Sequence, residues 1–399
     1  MSEVEEVIRL AAKGDGITNS GVHIPRTAPG DMVEGKTLVS RGPHHVDPPC
    51  RHFDRCGGCQ LQHVDEETLA SFVRDRVVNA AKGQNIAIGE LRPVHLSPPA
   101  SRRRATLHGL KSAKGAVLGF REGGSHTIVD LAECHVLDHR LETLIAPLRS
   151  LIATHGTAKQ ATDIRLSLCD QGVDVGFTHF EIDSLSATEA LLEFAQGHSL
   201  ARLTVDAGFG SETVWEPEPV TVSLSGIAVP MPTGAFLQAT PDAENRMVAD
   251  VTSWLDEAGV TADLFAGLGT FAFALSKERK VLAVEADRAA HLACKSASST
   301  NGGRVVALHR DLFRNPLQPA ELNRFDAVVL DPPRAGAKAQ VGQISQSSLK
   351  RVAYVSCNPS SWARDAAQLV AAGFTLTKVR PIGQFRWSTH VELASLFVR

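Results

Sequence analysis

Asp263-Leu-Phe-Ala-Gly267-Leu-Gly269-Thr-Phe271 closes one apolar run and opens a helical one. Gly267 and Gly269 let the backbone turn tightly and approach a ligand closely. Glu285 ends the next apolar run, where a carboxylate can accept hydrogen bonds from ribose hydroxyls. The third glycine of the dinucleotide fingerprint is missing, with Phe271 two residues past Gly269. Asp263, ahead of the turn, suits a cationic or amino-bearing ligand better than a pyrophosphate. S-adenosylmethionine, a sulfonium carrying an amino acid and no phosphate, fits; NAD fits poorly.

Outward from this turn, strand-like runs at 262–265, 280–285, 305–309, 327–330, 351–356, 375–381 and 391–399 alternate with helical ones at 239–258, 271–276, 288–299 and 361–372. That rhythm predicts an α/β unit over 233–399, a parallel doubly wound sheet whose ligands lie beyond the strand C-termini. Residues 1–46 carry short strand-like runs cut by Gly and Pro, which predicts a small β-barrel. Between them, 47–232 mixes strands with a few helices and reads as an α+β domain. Its helix at about 65–92 is placed against the C-terminal unit.

The 399 residues carry 41 Lys+Arg against 44 Asp+Glu, a net charge of −3, so a polycation is excluded and nucleic acid needs a local patch. The best patch is Arg102-Arg103-Arg104 with Lys111, Lys114 and Arg121. The longest apolar stretch, 264–275, is too short to span a bilayer, and the start is acidic where a secretion signal is basic. A cytoplasmic protein, and a monomer, is expected. Its seven cysteines are odd in number and clustered, which points to metal or catalytic roles rather than disulfides.

Two apolar runs end in proline loops at the expected ligand edge. The first is Val328-Val-Leu-Asp331-Pro332-Pro333-Arg334; the second is Val352-Ala-Tyr-Val-Ser356-Cys357-Asn358-Pro359. Cys357, at that edge and beside the glycine turn, is a candidate nucleophile. In Thr389-His390-Val391-Glu392, an acid at the start of an apolar strand is a candidate proton acceptor, because a partly dry carboxylate has a raised pKa. Cys50, Cys56 and Cys59, with Cys134 further on, supply four soft sulfurs that suit zinc or an iron–sulfur cluster alike.

Together, Phe236-Leu-Gln238, the 263–271 turn, Asp331-Pro-Pro-Arg-Ala-Gly, Ser356-Cys-Asn-Pro and His390-Val-Glu resemble the RNA 5-methyluridine (uracil-C5) methyltransferases across the catalytic half. The resemblance implies a class I S-adenosylmethionine-dependent methyltransferase in which Cys357 attacks uracil C6 and Glu392 removes the C5 proton. It also implies that Gln238, Phe265, Gly267, Gly269, Thr270, Glu285, Asp311 and Asp331 form the cofactor site. The run Cys56-Gly-Gly-Cys59-Gln-Leu-Gln-His63 is similar to the 4Fe–4S subgroup, which makes Cys50, Cys56, Cys59 and Cys134 its ligands. Residues 16–25 and 28–33 are similar to a TRAM domain, an OB-like RNA-binding barrel, though short here. That combination points to 23S ribosomal RNA as substrate, with the transfer RNA T-loop second. Arg334 disfavours amino-group DNA methyltransferases and RNA 5-methylcytosine enzymes, which carry an aromatic or a cysteine in its place. The rival from another class is an iron–sulfur RNA-binding protein without catalysis.

Overall fold

The computed structural model describes residues 3–399. In the C-terminal half the apolar runs become seven strands of one sheet: β1 (Val260–Leu264), β2 (Lys280–Glu285), β3 (Val305–His309), β4 (Ala327–Leu330), β5 (Arg351–Ser356), β6 (Thr375–Gly383) and β7 (Glu392–Val398). Their spatial order is 3-2-1-4-5-7-6. Strands β1 to β5 run parallel, and β7 lies antiparallel between β5 and β6. The order reverses between β1 and β4, which opens a crevice beyond their C-terminal ends. Covered on both faces, β4 and β5 read as unbroken apolar runs rather than alternating ones.

Three features differ from the sequence reading. The stretch after Arg334 contains a helix, Lys338–Gln346, where a loop was expected; it buries only Gln340, Val341 and Ile344, too few for a visible period. The helix read over about 65–92 ends at Gly83, packed on β6 and on helix Pro359–Ala371, and two short strands, Glu90–Leu91 and His95–Leu96, follow it and extend the sheet beside β6. The hairpin Thr221–Leu224/Ile227–Pro230, read with the middle domain, packs against helix Arg288–Thr300 of the C-terminal unit.

The middle sheet has six strands, in the order Ser211–Trp215, Arg202–Asp206, Gly172–Thr178, Thr162–Cys169, Arg104–Ser112 and Gly115–Gly119. Helices Ile145–His155 and Leu185–Gly197 pack on it. A buried ion pair, Arg103–Glu244 at 2.5 Å, fastens this sheet to helix Pro241–Trp254. At the N-terminus five short strands form an antiparallel sheet around Val7, Ile24 and Val33. Its outer strands, His23–Ile24 and Thr37–Ser40, do not pair among the described residues, so the expected barrel is a half-barrel. No helix among the described residues is long and apolar enough to cross a membrane.

Candidate active site

The turn after β1 is built by backbone geometry. Phe265 takes φ +65°, a costly conformation for a large side chain, and Gly269 takes φ +97°. A methyl at Gly269 would lie 2.8 Å from the Phe273 ring, so glycine is required there twice over. Glu285, at the end of β2, is clasped by two amides: Gly267 donates to it at 2.8 Å and Asp287 at 2.6 Å. Asp263 does not face a ligand, contrary to the sequence reading. It is wholly buried and accepts from the Ala272 amide at 2.8 Å, tying β1 to the following helix, and burial pushes its carboxyl up to about 7.

Beyond these strand ends lies a cavity of about 630 Å³, lined by Gln238, Phe265, Gly267, Thr270, Glu285 and Asp331 among others. Gly269 shapes the turn without lining the cavity. Asp311 does not line it either; its carboxylate caps the amides of Phe313 and Arg314. Phe313 reaches the cavity instead, its ring 5.3 Å from that of Phe265.

A second cavity, of about 650 Å³, opens between the C-terminal unit and the middle sheet. Both cavities are bordered by Thr233–Phe236, Arg334, Cys357 and Glu392. The two predicted reacting groups therefore stand on the wall the cavities share. Burial pushes the half-buried Cys357 thiol up to about 11, helped by Glu392 and Asp331 and opposed by Arg334. Glu392, only 4% exposed, is raised to about 7 by burial, with a hydrogen bond from Gln384 and the Arg104 charge acting the other way. Asp331 lies well above the usual carboxylate range because of burial, then Glu392 and Asp263.

The basic patch is not a single surface stripe. Arg102, Arg104 and Arg121 line the second cavity, and the Arg104 guanidinium lies 4.6 Å from the ring of the exposed Phe236. Arg103 is consumed by its buried pair with Glu244. Lys111 donates to the Thr154 carbonyl of helix Ile145–His155 and does not line the cavity. The sequence reading missed Arg165, which also lines the second cavity, and Gln384. Neither stands in a motif or a period that would single it out.

Cys50, Cys56, Cys59 and Cys134 line one small cavity with Phe53, Phe120, Leu131 and Val136. Burial pushes Cys59 up to about 12 and Cys134 to about 11, and raises Cys50 and Cys56 as well. No group of three or more His, Cys, Asp or Glu among the described residues is arranged to hold a metal ion. The stretch just after Cys59 grips the loop before Glu392. The Gln60 and Leu61 amides both donate to the Trp387 carbonyl, at 2.7 and 2.9 Å, and Thr389 donates to the Gln60 side chain at 3.3 Å. From that loop Phe385, Ser388 and His390 face the second cavity.

A family model described as tRNA (uracil-5-)-methyltransferase matches residues 218–399. Along its whole length the chain is 44% identical to an RNA methyltransferase of Zymomonas mobilis, covering 99% of this chain and 100% of that one. It is 32% identical to the 23S rRNA (uracil(1939)-C(5))-methyltransferase RlmD of Pectobacterium atrosepticum, covering 91% of this chain and 82% of that protein. The chain belongs to the RNA uracil-C5 methyltransferase family. The crystal structure of the Pyrococcus abyssi tRNA (uracil-54, C5)-methyltransferase, bound to S-adenosyl-L-homocysteine, has the same fold: TM-score 0.78 at 21% identity, covering 99% of this chain and all of that one. Members of this family use S-adenosylmethionine, and the strained Phe265 turn stands in the wall of the cavity beyond β1 and β2.

Proposed function

We propose that the chain methylates C5 of a uridine in RNA, most favourably 23S ribosomal RNA. One observation carries this reading: Cys357 and Glu392 both stand where the cofactor cavity meets the second, more basic cavity. A target uracil entering from the second cavity meets the thiol on one side and the cofactor's methyl on the other. An unstacked base is needed to reach that depth, so a loop suits better than a duplex.

Uracil C5 alone is a poor nucleophile, and a transient covalent bond splits one hard step into easier ones. Cys357 sulfur bonds to C6 as its proton leaves, and the C5=C6 electron pair moves to C5 and O4. C5 then takes the methyl from the sulfonium, which leaves as S-adenosylhomocysteine. Glu392 accepts the C5 proton, C5=C6 re-forms, and the C6–S bond breaks with its electron pair on sulfur. One proton is released overall. Arg334 and Arg104 face the thiol as the cations that favour its ionised form.

Glu392 must be ionised to accept a proton. With its carboxyl near 7, turnover at saturating RNA and cofactor is expected to climb about tenfold per pH unit below 7 and to flatten above it. A profile flat from pH 5 to 9 would remove Glu392 from the slow step.

The cysteine cavity belongs to the same reading. Four thiols line one mostly apolar space, Cys134 buried and Cys50, Cys56 and Cys59 half-buried, and four soft sulfurs are the donor set of a 4Fe–4S cluster. Cys50, Cys56, Cys59 and Cys134 would hold it as thiolates, and it would supply structural cross-linking outside the catalytic wall. Protein purified without oxygen is expected to carry about four iron and four sulfide per chain, falling on any Cys→Ser change in the set. Zinc in place of iron would sink this part alone.

The reading as a whole is tested by deleting the gene and mapping 5-methyluridine against wild type. Loss of a ribosomal RNA methyl supports it. Loss from the transfer RNA T-loop keeps the chemistry and changes the substrate. With no methyl lost and the gene expressed, a non-catalytic RNA-binding protein stands. A cytoplasmic monomer whose half-barrel adds RNA contact completes the proposal.

A further inference from the structure

We propose that Arg165 grips a backbone phosphate of the RNA in the second cavity, and so holds the strand that presents the target uracil to Cys357. The inference rests on the methyltransferase reading above. Arg165 stands in the middle-sheet strand Thr162–Cys169, where Ile164 and Leu166 are wholly buried and Arg165 lines the cavity. Its cross-strand neighbours are Thr106 on one side and Gly176 on the other. Two residues along, on the same face, lie Arg104 on the first of these strands and Asp174 on the second, with Arg202 opposite Asp174.

Partners separate these cations. Arg202 holds Asp174 through two hydrogen bonds, at 2.9 and 2.8 Å, which occupies the acid that this sheet brings to the cavity lining. Arg102 donates to the Arg104 carbonyl, and Arg104 to the Leu237 carbonyl while its guanidinium lies over Phe236. Arg121 reaches His126 at 3.3 Å. The Arg165 side chain has no hydrogen bond or ion pair among the described residues, and its Nε is closed off from solvent. A part-buried guanidinium without a counter-group is costly, and an anion at its open edge removes that cost.

Two glycines keep room for it. A methyl at Gly234, where φ is +73°, would lie 2.7 Å from Arg165 Nη1, and one at Gly176 would lie 3.5 Å from Nε and Nη2. The guanidinium therefore reaches from the sheet to the Thr233–Phe236 loop, which borders both cavities. Its fork of N–H donors matches the paired oxygens of a phosphodiester. Such a contact fixes the position of a strand without reading its sequence. Arg165 is on the middle-sheet wall and Cys357 on the facing one, so backbone and base are held from opposite sides.

The test uses the full-length protein and a synthetic RNA stem-loop around the uridine that 5-methyluridine mapping identifies. Arg165→Gln should weaken binding about tenfold at about 0.1 M salt and lower the slope of log K against log salt by roughly 0.7 to 0.9, the share of one phosphate. KM for RNA should rise about tenfold while kcat falls by less than about threefold. Arg165→Lys should keep the wild-type slope and lose only part of the affinity, since it keeps the charge without the fork. Neutral methylphosphonates are then placed at one phosphate at a time. At one position where this weakens wild-type binding, Arg165→Gln should lose nothing further. An unchanged salt slope in folded Arg165→Gln, or methylphosphonate losses that add to the substitution at every position, overturns the proposal and leaves Arg165 a support for the 233–236 loop. Equal loss of S-adenosylmethionine and RNA affinity does the same. Absence of methyl transfer by the wild-type protein would instead strike the functional reading.

Discussion

Cys357→Ala is expected to lower 5-methyluridine formation by on the order of 10⁴-fold or more, because no other group can form the C6 bond that makes C5 reactive. Among the cavity-lining residues Cys357 is the sole cysteine on the shared wall. Its loss leaves Gln238, Phe265 and Glu285 in place, so cofactor affinity should change by no more than roughly threefold. Mass spectrometry of digested RNA measures the first quantity and calorimetry with S-adenosylmethionine the second. A variant that keeps even a hundredth of wild-type turnover would mean that methyl transfer proceeds without a sulfur adduct. Equal loss of turnover and cofactor affinity would mean that the site had collapsed, and a Cys357→Ser protein would then decide.

Glu392→Gln should stop the reaction one step later. Attack by sulfur and methyl transfer need no base at C5, but release of the thiolate does. Methylated RNA is therefore expected to stay bonded to the chain, visible as a denaturation-resistant band carrying label from the cofactor methyl. Turnover should fall by about 10²- to 10⁴-fold, the range for a lost general base. Glutamine preserves size, so the space around this 4% exposed side chain stays filled. No adduct together with full turnover would reassign the base. Asp331, half-buried and likewise raised, would be the next group to examine.

Much of this was legible before any coordinates. Strands β2 to β5 fall where apolar runs end at Glu285, His309, Leu330 and Ser356, because a sheet covered on both faces leaves an unbroken hydrophobic signature. Cys357 and Glu392 stand out in the sequence because a polar residue at a strand end contrasts with its apolar neighbours, and both line the wall that the two cavities share. The two misread acids show the limit. Asp263 and Asp311 have the right residue type in the right region, yet one ties a strand to a helix and the other caps a turn. Backbone amides compete for carboxylates, and that competition is settled in three dimensions. Gln384 was illegible for a related reason: its buried side chain accepts from the Ala239 amide, 145 positions away. The half-barrel likewise turns on whether outer strands of two and four residues meet, which short runs cannot encode.

The grip of Gln60 and Leu61 on the Trp387 carbonyl bears on how such proteins can diverge. The rim of the second cavity is one surface written in two places, since Thr389 and Gln60 are 329 positions apart. A transplanted copy of either segment, taken from a relative with another target, would arrive without its seat. Changes of substrate in this lineage should therefore travel as matched pairs, one near the cysteines and one near the C-terminus, and chimeras that swap both should outperform those that swap one.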